Sequence, residues 1–394
     1  MRSQIVFRGW LLVCLGMLLL GGVIAAQPTA AAPTPGPCSG PYSINERLPN
    51  GTGWSMCWEE RDDEGLVLYN IRFLPSVTGS RTQSKLVMNQ LNLAQIFVPY
   101  DDNSARFHDL SDYGLGGTNM NNMTAADCPQ GTLLTNNGRN VVCKTVRSTG
   151  YGYKSYTNQR QANTLELYSV AHIGAYNYIV QYTFGDDGSI KPAIGATGRL
   201  QLYTSNPQYG WNLGTRYGTS HGHSYYWRMD FDLEGAANDA LEQMDFSGGQ
   251  TLQRPMTLTT FPQETSAQVS NTTFRGWRIK DTAINNTDGH AISYELLPDA
   301  SHISRGPASE PWTGYDVYYT QYNACEKWAS HNSTAGGCGN NVAAFNTNET
   351  VTDAVLWYGL SFHHVARDED EPYMSTHWSS FDLVPRDLLA VNLR

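Results

Sequence analysis

The stretch His221-Gly-His-Ser-Tyr-Tyr-Trp-Arg-Met-Asp-Phe231 joins two histidines to a run of aromatic and apolar residues. Aromatic residues are enriched in β-strands, so the run from Ser224 to Phe231 predicts a strand. Because residues i and i+2 project from the same face of an extended strand, His221 and His223 can both reach one metal ion. A pair of surface or hydrogen-bonded histidines is the alternative interpretation, since histidine is often only partly buried.

The rest of the chain repeats this strand-like character between turn residues. Its 394 residues include 23 tyrosines, 10 tryptophans and 37 glycines, and helical periodicity is scarce. Further strand-like runs are 65–72, 94–98, 179–184 before the turn 185–188, and 199–203. We therefore predict an all-β fold, a large antiparallel β-sandwich that forms one domain.

The N-terminal residues have the pattern of an export sequence. Two arginines precede the apolar run 9–24 and two alanines follow it, an order typical of a secretory signal peptide. We predict a signal peptide at 1–26, a flexible Ala/Thr/Pro-rich linker at 27–41 and one folded domain at 42–394. A retained N-terminal anchor is the alternative for the apolar run. The mature protein is expected to be secreted and extracellular, or periplasmic, without a membrane span.

The cysteine count agrees with export. Of the seven cysteines, Cys14 lies in the predicted signal peptide, which leaves an even number. An even count in an exported chain predicts disulfides, and no pair has the two-residue spacing of a zinc knuckle. The predicted pairs, inferred from proximity along the chain, are Cys38 with Cys57, Cys128 with Cys143, and Cys325 with Cys338.

Charge narrows the range of partners. The net charge is −10 at pH 7. A negative surface repels polyanions, so nucleic acid and anionic membranes are not expected as partners. The same field mildly favours a cationic small molecule.

A third metal ligand and an oxidisable phenol complete the candidate site. Adjacent residues in a strand face opposite ways, so only one of His363 and His364 should join the histidine pair. Imidazoles are preferred ligands of Cu(II), and three neutral histidines leave positions open for water or oxygen. Tyr176, in the run Gly174-Ala-Tyr-Asn-Tyr178, is the phenol that such a metal could modify.

Together these segments resemble the catalytic domain of copper-containing amine oxidases, enzymes whose topaquinone cofactor is made from a tyrosine. The resemblance runs through nearly the whole mature chain and implies the large β-sandwich, or super-sandwich, of that domain. Counting from Asp353 places His364 at the ligand position. The matching segments are Val98-Pro-Tyr100, Asp109-Leu-Ser-Asp-Tyr-Gly-Leu-Gly116, Ala175-Tyr-Asn-Tyr178, Gly195-Ala-Thr-Gly198, His221-Gly-His223, Arg228-Met-Asp-Phe-Asp232, Asp353-Ala-Val-Leu-Trp-Tyr358 and 364–374.

The resemblance implies a self-processed cofactor. Copper held by His221, His223 and His364 would, with dioxygen, oxidise Tyr176 to topaquinone. A small primary amine and dioxygen would then be the substrates, and an aldehyde, ammonia and hydrogen peroxide the products.

It also implies two supporting catalytic residues. Asp109 corresponds to the family's catalytic base, which takes a proton from the carbon next to the amine nitrogen. Burial in an apolar channel would raise the pKa of Asp109 enough for this task near neutral pH. A turn or capping aspartate is the alternative role. Tyr100 corresponds to the tyrosine that hydrogen-bonds the quinone.

A second, peripheral metal site follows from the same resemblance. Its ligands would be the carboxylates of Asp230, Asp232 and Asp353 with the backbone carbonyls of Phe231 and Ala354. Oxygen ligands suit calcium or manganese better than copper, and the role would be structural. Ordinary solvent-facing aspartates are the alternative.

The sequence departs from the family pattern beside the cofactor. Ala175 stands where the family has an asparagine, and Asn177, predicted to lie at the cofactor, stands where it has an acidic residue. His108 replaces the usual aromatic before the base, and Ser111 replaces a glycine. These changes spare the copper ligands but fall on the surroundings of the quinone.

Three functions remain open from sequence. The first is a secreted copper- and topaquinone-dependent primary-amine oxidase. The second is a copper-binding protein of the same fold without efficient catalysis, and the third is a secreted β-sandwich binding module. A homodimer is expected by resemblance alone.

Overall fold

The computed structural model describes residues 38, 40–75, 83–248, 252–298, 303–332 and 340–393. The predicted signal peptide and the predicted linker as far as residue 37 lie outside the described residues. Within them, no helix combines the length and apolar composition that a membrane span requires.

Strands are the dominant secondary structure of the described chain, as the composition predicts. In chain order the strands are β1 (Ser43–Arg47), β2 (Gly53–Arg61), β3 (Gly65–Leu74), β4 (Lys85–Pro99), β5 (Arg106–His108), β6 (Thr132–Asn136), β7 (Arg139–Ser155), β8 (Asn158–Ile173), β9 (Tyr176–Gly185), β10 (Ile190–Gly198), β11 (Tyr203–Thr204), β12 (Gly210–Asn212), β13 (Tyr217–Thr219), β14 (His221–Phe231), β15 (Asp239–Phe246), β16 (Met256–Phe261), β17 (Thr265–Ala267), β18 (Gly276–Asn285), β19 (Ala291–Leu297), β20 (Val317–Gln321), β21 (Ala354–His364), β22 (Met374–Ser380) and β23 (Asp382–Arg386). The helices are α1 (Asp109–Tyr113) and α2 (Val342–Phe345), and short 3₁₀ turns lie at Gly40–Tyr42, Gly117–Asn119, Pro311–Gly314 and Asp368–Asp370.

Two large antiparallel sheets form the sandwich, which confirms the predicted fold. The first has the order β1-β2-β3-β4-β14-β21-β20-β17, and the second has the order β16-β15-β18-β19-β23-β10-β9-β8-β7-β6. Side chains of both sheets share one buried core. Trp54 of the first sheet, for example, packs its ring 5.0 Å from that of Phe184 in the second. Burial of such large aromatic surfaces between the sheets is the main driving force for this architecture.

Strand register brings the candidate site together. In the first sheet β14 pairs with β21 so that His221 lies opposite His364. In the second sheet β8 and β9 form a hairpin whose two-residue turn, Gly174-Ala175, places Tyr176 opposite Ile173 at the start of β9. The metal-site histidines thus belong to one sheet and the phenol to the other.

Most of the predicted strands are present, but the run 199–203 is not one. Strand β10 ends at Gly198, whose φ of +114° favours glycine. The next amide, that of Arg199, donates to the carbonyl of Ala175 at 3.0 Å. The chain therefore wraps onto the β8–β9 turn instead of continuing a strand, and only Tyr203 belongs to the short β11.

Two of the three predicted disulfides are confirmed, Cys38–Cys57 and Cys128–Cys143. The third predicted pair includes Cys338, which lies outside the described residues.

A glycine beneath a buried tyrosine tests this packing. Gly359 lies opposite Tyr226 across the β14–β21 pair, and a Cβ added to Gly359 would lie 2.5 Å from the tyrosine ring. The Tyr226 hydroxyl donates to the carbonyl of Tyr315 at 2.6 Å, so the ring cannot move away without losing a buried hydrogen bond. We expect Gly359→Ala to lower the free energy of unfolding by about 1–3 kcal/mol in urea denaturation, as overpacking does. Gly314→Ala is the control, since a Cβ there meets nothing within 4 Å; equal stability of the two variants would contradict the packing.

Candidate metal centre

The three predicted histidines converge in the core of the sandwich. One ring nitrogen from each of His221, His223 and His364 lies within 4.8 Å of the others. The first two begin β14 and point the same way, as their spacing predicts. His363, the other candidate, is exposed, and its Nε2 lies 2.7 Å from an Asp101 carboxylate oxygen. The structure thus places His364, and not His363, with the pair.

Hydrogen bonds fix which nitrogens face the centre of this cluster. His221 Nδ1 donates to the carbonyl of Thr219 at 2.9 Å, which leaves Nε2 with a lone pair. His364 Nε2 lies 3.0 Å from an Asp370 carboxylate oxygen, so it is the protonated nitrogen and Nδ1 keeps the lone pair. The two lone-pair nitrogens, His221 Nε2 and His364 Nδ1, are 3.3 Å apart. A cation between them would turn this repulsion into attraction.

His223 gives the strongest test of whether a metal fits. Its ring is fully buried, and within the described part of the chain neither of its nitrogens has a hydrogen-bond partner. Leaving a buried polar atom unsatisfied costs about 1–3 kcal/mol, and metal coordination would recover this for the ring nitrogen that binds. Burial also lowers the pKa of His221 to about 4 and holds the pKa of His223 well below its usual range. Both rings are therefore neutral near pH 7, the form that binds metal.

Tyr176 lies against this cluster. Its hydroxyl donates to His221 Nε2 at 2.6 Å, the only role that the histidine tautomer allows. The ring is 3% exposed, and burial holds the pKa of its hydroxyl well above the usual range. Tyr176 and His364 both line a cavity of about 270 Å³, whose other walls include Phe362, Met374 and His377. The phenol therefore combines contact with the candidate metal position and access from a cavity.

Asp109 is reached from Tyr176 through a neighbouring tyrosine. The Tyr178 hydroxyl donates to an Asp109 carboxylate oxygen at 2.6 Å, and the Tyr178 and Tyr176 rings stack with centroids 5.9 Å apart. Asp109 is buried at the start of α1, and burial raises its pKa to about 6 despite the bond from Tyr178. A carboxyl with this pKa is suited to proton transfer near neutral pH. Tyr178 is a site residue that is not among the predicted ones, although its i+2 spacing from Tyr176 indicates a shared face.

The two remaining predicted cofactor neighbours lie in different places. The Tyr100 ring stacks on that of His221, with centroids 4.6 Å apart. Asn177 lies on the opposite face of β9 from Tyr176 and lines a separate cavity of about 680 Å³ with Arg147 and Glu166. Because successive strand residues face opposite sides, Asn177 points away from the Tyr176 side of β9, and its contact with the cofactor stays a prediction.

The predicted aspartate cluster also converges. Carboxylate oxygens of Asp230, Asp232 and Asp353 lie within 4.8 Å of one another, where the end of β14 meets the start of β21. Phe231 and Ala354, whose carbonyls complete the predicted set, are directly opposed in that strand pair. Burial, with repulsion between carboxylates as a further cause, raises the pKa of Asp230 to about 7 and of Asp232 to about 8. Among the described residues, neither Asp230 Oδ1 nor Asp232 Oδ1 has a hydrogen-bond partner, so a cation fits here as well.

A sequence profile described as "Copper amine oxidase, enzyme domain" matches residues 44–393, most of the chain. The chain belongs to the copper amine oxidase family. Primary amine oxidase 2 of Arabidopsis thaliana is 27% identical over 358 residues, which cover 78% of this chain and 52% of that protein. The primary amine oxidase of Arthrobacter sp. (strain P1) is 24% identical, with 86% of this chain and 58% of that protein covered.

Solved structures show the same fold. A copper-containing benzylamine oxidase from Hansenula polymorpha superposes with a TM-score of 0.73 at 20% identity, over 95% of this chain and 65% of that one. The Aspergillus nidulans amine oxidase gives 0.72 at 21% identity, over 87% and 52%. This chain spans about half the length of the relatives that it matches. The cofactors of the family are copper and a tyrosine-derived topaquinone, and the donor set described above fits both.

Copper should stabilise the protein through the histidine cluster. At a free Cu²⁺ concentration of about 100 times the dissociation constant, a ligand that binds only the folded state adds about 2.7 kcal/mol to the free energy of unfolding. We expect a matching rise in the thermal-unfolding midpoint, and its loss in His223→Gln. His363→Gln is the matched control, because this neighbouring histidine is exposed and bonded to Asp101. A rise that survives His223→Gln would place the copper elsewhere.

Proposed function

We propose that this protein is a copper- and topaquinone-dependent primary-amine oxidase that converts small primary amines to aldehydes, ammonia and hydrogen peroxide. The observation that carries the proposal is the contact of the Tyr176 hydroxyl with His221 Nε2, inside a cluster of three convergent histidines. A structural tyrosine has no need of three convergent imidazoles beside it. Membership of the copper amine oxidase family supports the same conclusion.

His221, His223 and His364 would hold the copper, and Tyr176 would become the quinone. Bound together, these groups supply an electrophilic carbonyl for the amine and a path for its electrons to dioxygen. The chain prepares the site by excluding water, since Tyr176 and the first two histidines are almost completely buried. Thr219 and Asp370 hold the outer nitrogens of His221 and His364, which keeps the inner nitrogens available for the metal.

Asp109 would move the proton. Its pKa of about 6 leaves it ionised near neutral pH, yet basic enough to accept a proton from the substrate carbon. The Tyr178 hydroxyl fixes the orientation of the carboxylate by donating to one of its oxygens. Tyr100 stacks on the copper ligand His221, and the family pattern gives it a hydrogen bond to the quinone.

One departure from the family favours the second candidate, a copper protein without efficient turnover. Ala175, which replaces the family asparagine, precedes Tyr176 directly, and its backbone carbonyl accepts from the Arg199 amide at 3.0 Å. The turn is thus held by the backbone, but the alanine has no amide side chain to restrain the ring. The third candidate, a binding module, loses support because the histidines converge.

The domain boundaries, the cellular location, the second metal ion and the oligomeric state are proposals as well. We place the catalytic domain at 42–394 and the protein in an extracellular or periplasmic compartment, which the two disulfides support. Asp230, Asp232 and Asp353, with the Phe231 and Ala354 carbonyls, would hold calcium or manganese as a structural ion. Homodimer formation stays a prediction.

Quinone formation should depend on one hydroxyl. Protein prepared without copper and then given Cu²⁺ in air is expected to develop a visible quinone band that phenylhydrazine traps. Tyr176→Phe should abolish both the band and the adduct, because the ring loses the oxygen from which oxidation starts. Tyr156→Phe, at a fully exposed tyrosine, is the control and should behave as the wild type. A trapped adduct in Tyr176→Phe would assign the quinone to another residue, and no adduct in copper-loaded wild type would overturn the enzyme assignment.

Asp109 should set both the rate and its dependence on pH. Asp109→Asn is expected to keep the quinone band but to lower amine oxidation by about 10²–10⁴-fold, the usual cost of losing a general base. In the wild type the raised pKa means that Asp109 becomes protonated as the pH falls through about 6, so kcat/KM should fall on that side. Asp288→Asn, in an exposed hairpin loop, should leave rate and profile unchanged. An unshifted acidic limb in the residual activity of Asp109→Asn would assign the base elsewhere.

A further inference from the structure

A third group of metal-ligand side chains lies beside the helix that carries Asp109. Nitrogen and carboxylate atoms of His108, Asp112 and His331 lie within 4.8 Å of one another. These residues come from the end of β5, from α1 and from the segment before β21. Their convergence is a property of the tertiary fold and not of neighbours in sequence.

His108 is oriented like a metal ligand. Its side chain is buried, and its Nε2 lies 3.4 Å from the carboxylate of Glu310, which accepts from Trp312 Nε1 at 2.7 Å. The opposite nitrogen, Nδ1, therefore faces Asp112, 3.8 Å from its Oδ2. A carboxylate on the outer nitrogen of an imidazole is the usual second partner of a metal-bound histidine.

His331 completes the set from the other side. Its Nδ1 lies 2.9 Å from Asp112 Oδ1, and its ring centroid is 3.8 Å from that of His108. The segment is held in place by Gln95, whose amide donates to the hydroxyls of Ser330 and, on α1, Ser111. The buried Gln95 thus fixes both sides of the cluster before any ion binds.

A hydrogen bond accounts for the 2.9 Å contact between His331 and Asp112 but not for the approach of His108. A single His331–Asp112 bond needs no second imidazole, and 3.8 Å from His108 Nδ1 to Asp112 is too long for a hydrogen bond. Ligand atoms about 2.0–2.2 Å from a tetrahedral ion are about 3.3–3.5 Å apart, so small side-chain movements would close the site. Two histidines and one carboxylate with a fourth position open are a ligand set typical of zinc.

We propose that His108, Asp112 and His331 form a third metal site that binds Zn²⁺, with Glu310 as the outer partner of His108. The ion joins α1 to the segment that contains His331 and so fixes the helix on which Asp109 lies. The site is separate from the histidine cluster around Tyr176 and does not rest on the proposed oxidase activity. Its ligands include His108, one of the departures from the family pattern.

Zinc binding by the copper-loaded protein tests this site. Ca²⁺ is kept in excess to fill the aspartate cluster, and Zn²⁺ is titrated by calorimetry with copper and zinc counted by elemental analysis. We expect one zinc equivalent in the wild type and its loss in His331→Gln, with Asp112→Asn weakening binding by at least tenfold. Co²⁺ in place of Zn²⁺ should give a tetrahedral visible spectrum in the wild type alone.

The control variant alters a histidine that lies near a carboxylate but outside the proposed site. His290 is an exposed histidine 3.8 Å from Asp387, so His290→Gln should bind zinc as the wild type does. His331→Gln and Asp112→Asn alter partly exposed side chains, and an unchanged copper content shows that each variant is folded. Equal zinc stoichiometry in wild type and His331→Gln, or no zinc equivalent in the wild type, overturns the proposal. Copper content and the quinone band report on the oxidase assignment independently.

Discussion

Two imidazole nitrogens, His221 Nε2 and His364 Nδ1, face each other at 3.3 Å in the interior, each with its lone pair inward. The register of β14 and β21 enforces this contact, because it sets the two residues directly opposite. Two lone pairs this close repel, and a positive charge placed against them, such as the Tyr176 hydroxyl proton on His221 Nε2 or a shared cation, relieves the repulsion. A copper ion between the two nitrogens gives one explanation for three features. These are the position of Tyr176, the burial of His223 and the hydrogen bonds on the outer nitrogens of His221 and His364.

Burial sets the chemistry of the surrounding groups in opposite directions. It disfavours the charged form of every residue, so the pKa of His221 falls to about 4 and that of Asp109 rises to about 6. The histidines are thereby kept free for metal, and the carboxyl becomes a usable base. The same effect makes the cluster around Asp230 expensive without an ion. Burial between the two sheets therefore favours metal binding by the histidines, proton transfer by Asp109 and ion binding by the cluster around Asp230.

The local parts of this arrangement could be predicted from sequence, and the long-range parts could not. Strand periodicity alone aligns His221 with His223, and the family pattern selects His364. The bond from Tyr178 to Asp109 joins β9 to α1 across the sandwich, and sequence carries no direct measure of that distance. The run 199–203 has the composition of a strand, but after Gly198 the chain packs onto the β8–β9 turn instead. Sequence carries no direct measure of this long-range contact either. Asn177 follows the same alternation as the histidines and faces the other side of β9 from Tyr176.

The most direct test of the copper assignment is electron paramagnetic resonance of the Cu²⁺-loaded protein, with nitrogen couplings resolved by pulsed methods. Three convergent histidines predict coupling to three imidazole nitrogens in the wild type. Replacing His364 with glutamine should remove one of them, whereas replacing the adjacent His363 should remove none. A spectrum with fewer than three imidazoles in the wild type, or one that the His364 substitution leaves unchanged, would contradict a copper site between β14 and β21.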